Sequence, residues 1–302
     1  SMCIVYVILI QNRENLHGEQ KENQMLLLRE RSKDHWVGAV AATLFLLTIF
    51  ATPLRAQEEP ADLNGIWQAL GTAHWDLEGH AARPGPIVEL GALGAVPAGL
   101  GVVLGGKIPY RPEAARQRDE NRENWLERDP AVKCYLPGVP RATYMPFPFQ
   151  IVQDTDFIII AYEFAHATRV VHMSSPDSDI PFDAWMGHSR GHWEGETLVV
   201  EVTRQLPDTW FDSSGNFHSG ALHIVERYTP ISPDALLYEA RIEDPEVFTE
   251  PWTIRLPLYR RLDENIELLE FKCIEFVEEL MYGHLSRGAD LTDEEDSSEE
   301  RR

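Results

Sequence analysis

"FQIVQDTDFIIIAYEF" (149–164) marks a change in the character of the chain. Upstream, the sequence from about 71 to 111 is irregular and rich in Gly, Pro and Ala. From residue 149 onward, short apolar runs recur with period two, the spacing that sends alternate side chains to opposite faces of a strand. The same pattern continues in "TRVVHM" (168–173), "SRGHWEG" (189–195), "TLVVEV" (197–202), "LHIVERY" (222–228), "LLYEARIE" (236–243), "WTIRLPLYRR" (252–261) and "IELLEFKC" (266–273). Turn signals such as "EGE" (194–196) and "SPD" (232–234) separate several of these runs. Helices do not alternate with the strands, so a parallel doubly wound sheet is not expected. The expected fold is all-β and mainly antiparallel, a closed barrel in preference to a sandwich.

Outward from this region, "LNGIWQAL" (63–70) reads as a first strand. "PEAARQRDENRENWLER" (112–128) begins with proline in a helix-starting position and continues with good helix formers. "DPAVKCYLPGVPRATYMPFP" (129–148) is punctuated by proline and reads as a structured loop. "EFVEELMYGHL" (275–285) has the pattern of a short amphipathic helix.

The 302 residues are 43% hydrophobic and 25% charged, a composition that supports a sizeable core. A net charge of -22 opposes association with nucleic acid or anionic membranes. Three segments follow: an N-terminal extension and signal peptide over 1–56, one β-barrel domain over 57–289, and an acidic disordered tail over 290–302. The apolar run "WVGAVAATLFLLTIFA" (36–51) lies between "RERSKDH" and "TPLRAQEEP", with Ala56 as the last residue before cleavage. At roughly 15 residues it is short of the ~20 that span a bilayer, so no stable membrane span is expected after cleavage. Export to the periplasm or exterior also suits Cys134 and Cys273, which could form one disulfide in an oxidising compartment.

"GLGVVLGGK" (99–107) contains G-x-x-x-x-G-K from Gly101, close to a phosphate-binding loop. Ile108 and Pro109 stand where that loop needs Ser or Thr and a helix interior. The stretch is therefore read as an apolar connection, packed under the domain or serving as a lid or plug.

"NGIW" (64–67) resembles the Gly-x-Trp signature of calycins, the lipocalin-like barrels. The resemblance implies that Trp67 closes one barrel end, with Arg260 or Arg261 packed on it. A broader resemblance, carried by "KCYLPGVPRATYMPFPFQIVQ" (133–153), "WMGHSRGHWEGETLVVEVT" (185–203), "TWFDSSGNFHSGALHIVERYTP" (209–230) and "IEDPEVFTEPWT" (242–253), is to an uncharacterised family of secreted proteins from soil and marine bacteria. It implies export and a single domain, and it carries no activity.

Candidate site residues gather in the strand region. The loop "QLPDTWFDSSGNFHSG" (205–220) holds Asp208, Trp210, Asp212 and His218. A carboxylate such as Asp212 could orient His218 as a general base, and Trp210 could cover an apolar ligand. Turn formation by the Asp and Ser side chains is the competing explanation. Glu226 and Arg227 alternate, so one faces the barrel interior. A hairpin at 232–234 would bring Glu226 near Glu239 and Arg241, either as a buried ion pair or as a group that polarises a substrate. Tyr162, His166 and Arg169 complete the ligand-binding set. A hairpin joining 165–173 to 187–195 would set His172 opposite His188, a pair to which zinc or copper would be suited. His188 and His192 are ~13 Å apart along one strand and cannot share an ion.

These observations point to an exported barrel that binds a small, partly apolar molecule, with no cofactor required. The alternative is a cofactor-independent or metal-assisted hydrolase or isomerase built on His218 and Asp212. A protein partner for the acidic surface is a third expectation.

Overall fold

The computed structural model describes residues 60–85, 95–173, 181–282 and 284. The signal-like run at 36–51, Cys3 and the acidic tail at 290–302 lie outside them. Nine strands follow in chain order: β1 (Gly65–Ala69), β2 (Phe149–Gln153), β3 (Phe157–Tyr162), β4 (Thr168–His172), β5 (His188–Glu194), β6 (Thr197–Thr203), β7 (His223–Ser232), β8 (Ala235–Glu243) and β9 (Trp252–Arg260). Each pairs with its sequence neighbours, and β1 pairs with β9 through Trp67 and Arg260, closing the barrel.

Alternation decides which side chains enter. On β7 the buried residues are Ile224, Glu226 and Tyr228; on β8 they are Leu236, Tyr238, Ala240 and Ile242; on β9 they are Trp252, Ile254, Leu256 and Leu258. With Phe149, Ile151, Ile158, Ile160, Leu198 and Val200 from the other strands, these side chains pack into one core. Burial of this apolar surface is the main favourable term for the fold.

Trp67 is fully buried, and its indole Nε1 donates to the Leu63 carbonyl at 2.9 Å. The Arg260 guanidinium lies over the indole face, 4.3 Å from its centroid, and Nη1 donates to the Asn64 carbonyl. Gly65 is required here. Its φ of +134° is unfavourable to L side chains, and Arg260 Nη1 occupies the position a Cβ would take.

One pair of neighbours departs from the antiparallel rule. β4 and β5 run parallel, joined only by Val171↔Ser189 and His172↔Arg190. This overturns the hairpin expected to set His172 opposite His188. β5 thus runs in the same direction as β4. "IELLEFKC" is not a strand either. β9 already pairs with β1, which leaves no edge for a tenth strand. Instead Phe271 packs against Phe147 and Phe164, and Cys273 is disulfide-bonded to Cys134 with Cα atoms 5.7 Å apart.

Four α-helices are described alongside the strands. α1 (Pro112–Glu123) starts with proline as expected and buries Ala114 and Asn121. The expected single helix breaks at Asn124, and α2 (Trp125–Arg128) follows. α3 (Arg141–Tyr144) lies in the proline-punctuated loop, and α4 (Val277–Tyr282) is near the end of the described chain. The described part of the glycine-rich connection is anchored at Val103, whereas Leu100 and Leu104 are exposed. Val103 is buried and bridges Ile254 of β9, while Lys107 pairs with Glu78 at 2.7 Å.

Candidate functional site

The barrel interior is apolar except where β4 faces β7. Alternation sends Arg169 inward from β4 and Glu226 inward from β7. Arg169 Nη1 donates to Glu226 Oε2 at 2.6 Å, and Nη2 donates to Oε1 at 3.0 Å. The hydroxyls of Tyr228 and Tyr238 also donate to Oε1, at 3.0 and 2.7 Å. Arg169 reaches two further acceptors, the Tyr228 hydroxyl at 2.9 Å and Ser189 Oγ at 3.3 Å. The geometry of the guanidinium, a planar fork, matches the carboxylate.

Burial opposes the Arg169 charge, but the adjacent Glu226 carboxylate outweighs it and holds the guanidinium well above its ordinary range. Burial pushes the Tyr228 and Tyr238 hydroxyls well up, with Glu226 adding to the effect, so both remain neutral donors. Tyr162 behaves likewise for the same first reason, and its hydroxyl lies 3.4 Å from Thr143 Oγ1.

Arg169 Nε is the exception in this network: it is buried and has no hydrogen-bond partner. Arg169 also lines a cavity of about 540 Å³, together with Ser189, His172, His188, Trp185 and Met186. The cavity opens at the seam where β4 and β5 pair for only two residues.

The expected site residues divide among several places. Arg169, Tyr162 and Glu226 belong to the interior, whereas Arg227 is on the outer face and pairs with Glu194 at 2.9 Å. The expected approach of Glu226 to Glu239 and Arg241 is overturned by strand parity: Glu226 faces Ala240, Arg227 faces Glu239 and Val225 faces Arg241. His172 and His188 share the seam cavity, and His188 Nε2 lies 3.0 Å from the Phe182 carbonyl and donates to it. Among the described residues, no group of three or more His, Cys, Asp or Glu could hold a metal ion. His166 is exposed in the 3₁₀ turn Phe164–His166. Asp208 and Trp210 line a separate cavity of about 510 Å³ with Tyr135 and Lys133.

The 205–220 loop is tied by its own side chains. Asp212 is fully buried; its Oδ2 accepts from the Leu77 N–H at 2.8 Å and Asn216 Nδ2 at 2.6 Å, and its Oδ1 from the Ser214 N–H at 2.9 Å. Burial and then the Asp76 carboxylate push it up to about 7, against the pull of those hydrogen bonds. His218 donates from Nδ1 to the Ser219 carbonyl at 2.8 Å, so Nε2 accepts from the Thr209 hydroxyl at 2.7 Å. Burial pulls His218 down, which fits this neutral tautomer.

Tyr228, Tyr238 and Ser189 were not singled out in the sequence, although parity with Glu226 places Tyr228 on the same face and the β7–β8 hairpin aligns Tyr238 with it. Arg141 and Asp129 form a second buried pair, at 2.7 and 2.8 Å, for which the local sequence carries no comparable signal. No protein-family model and no curated protein matches the chain.

Proposed function

We propose that the protein is an exported, calycin-like barrel that binds a small, partly apolar molecule at the β4–β5 seam, with a hydrogen-bond acceptor of the ligand placed on Arg169 Nε. The observation that carries this reading is the buried, unpartnered Nε–H of a residue that lines a 540 Å³ cavity. A buried donor without a partner costs about 1–3 kcal/mol, and an acceptor supplied by a ligand would recover that loss. Leu136, Met186, Leu206 and Trp185 give the same cavity an apolar wall. Glu226 already balances the arginine charge, which favours a neutral acceptor such as a carbonyl or ether.

Export is supported by the Cys134–Cys273 disulfide, a bond that persists in oxidising compartments. Among the described residues no helix is long and apolar enough to cross a membrane. The Trp67–Arg260 contact supports the calycin-like reading of the barrel end. The enzyme alternative lacks comparable support, because Asp212 and His218 are both buried and their polar atoms are engaged by their own loop and its neighbours.

The test is a thermal-shift panel of long-chain alcohols, steroid ketones and aromatic esters on the wild type and Ala184→Trp, which fills the cavity from its wall. Stabilisation of the wild type and its loss in the variant is expected. A panel without effect, or one that stabilises both proteins equally, contradicts the seam as the site.

A further inference from the structure

A second cavity, of about 440 Å³, lies outside the barrel between α2 and the 74–85 segment. Trp75 and Trp125 form part of its wall, with ring centroids 6.2 Å apart and planes at 86°. Both indoles are half-buried, so each offers an apolar face that is not consumed by the core. Around them stand Arg83, Arg122, Glu123 and Glu127; Arg122 pairs with Asp119, and Arg83 lies 3.7 Å from Asp76.

The floor is polar and held in place. Ser213 Oγ accepts from Arg141 Nη2 at 3.1 Å, and the Ser213 N–H donates to the His74 carbonyl at 3.0 Å. Arg83 is fixed by donation to Ser214 Oγ at 2.7 Å. A ligand entering this cleft therefore meets Ser213 and Arg83, already oriented by the fold, as well as two indole rings.

We propose that this cleft binds a neutral carbohydrate of one or two rings, independently of any ligand at the barrel seam. A sugar ring combines an apolar C–H face, suited to an indole, with an edge of hydroxyls that both donate and accept. Guanidinium and carboxylate groups together supply donors and acceptors for such an edge. Both lining arginines already have carboxylate partners, so neither is left to pair with an anionic ligand, which favours a neutral one. The volume lies within the range of about 300–1,000 Å³ common to small-ligand sites.

Isothermal titration of the full chain with cellobiose, maltose and chitobiose tests the assignment, with 4-hydroxybenzoate as the planar anion. Binding of at least one disaccharide is expected, unaffected by 0.5 M salt and weakened at least tenfold in Trp125→Ala. Glu127→Ala changes an exposed side chain and keeps the test valid if Trp125→Ala misfolds; a several-fold loss is expected there. Asp208→Ala, in the other surface cavity, should bind as the wild type does. Absence of disaccharide binding at millimolar concentration overturns the proposal. So does sugar binding that survives both cleft substitutions, or salt-sensitive binding of the benzoate alone.

Discussion

Arg169 on β4 and Glu226 on β7 meet inside the barrel through two hydrogen bonds, 57 residues apart in sequence. Removing either partner leaves the other charge buried and uncompensated, at a cost of about 3–5 kcal/mol. Arg169→Met and Glu226→Leu should each lower the urea midpoint strongly, while the double variant should recover much of the loss. Additive destabilisation in the double variant would mean that the two residues act separately.

Tyr238 donates to the same carboxylate oxygen at 2.7 Å from a fully buried position. Tyr238→Phe removes the donor and keeps the ring, so a loss of about 1.5–3 kcal/mol is expected for a bond to a charged group. Denaturant unfolding at pH 7 measures it, and a change within error would show that Arg169 and Tyr228 satisfy Glu226 without it.

Much of the barrel could be read from the chain because alternation is local. The strand runs at 149–162, 197–203, 223–232 and 235–243 carry their own period, and the turns at 194–197 and 232–235 fix their antiparallel pairing. The parallel seam could not be read in this way, since nothing in residues 168–172 or 188–194 specifies the direction of approach. Parity showed that either Glu226 or Arg227 must face inward, but the partner of Glu226 lies three strands away. His218 had the look of a catalytic base by residue type alone; only its contacts with Thr209 and Ser219 reveal how firmly it is held.

Gly65 tests the closed end of the barrel. Gly65→Ala places a Cβ against Arg260 at a φ unfavourable to alanine, so a loss of at least about 1–3 kcal/mol is expected. Gly220 has nothing within 4 Å of a Cβ and no positive φ, and Gly220→Ala should leave the melting temperature nearly unchanged. Equal effects at both sites would contradict the packing of Arg260 on Trp67.

The Cys134–Cys273 bridge closes a loop with a sequence separation of 139. On the chain-entropy account such a loop contributes up to about 5 kcal/mol. The double Cys134→Ser/Cys273→Ser variant should unfold at lower urea concentration and be cleaved early by protease around residues 264–276. Unchanged resistance there would show that Phe271, packed on Phe147 and Phe164, holds the segment unaided.

Asp212 sets a pH dependence. Its carboxyl sits near 7 in the fold, against an ordinary 3.8. Between those values the fold retains a proton that the unfolded chain has released, so this contribution to stability is complete below about pH 4 and lost as pH rises through 7. Between pH 5 and 8, Asp212→Asn should show a smaller fall in stability than the wild type. An unchanged slope would place the proton elsewhere.

The central claim is that the β4–β5 seam holds a ligand beside Arg169. Native mass spectrometry of the wild type and Ala184→Trp, both prepared by export and without chelators, tests it most directly. The wild type should carry an organic mass that leaves on denaturation, and the variant should lack it. A wild type of bare polypeptide mass, or the same adduct on both proteins, would contradict the assignment.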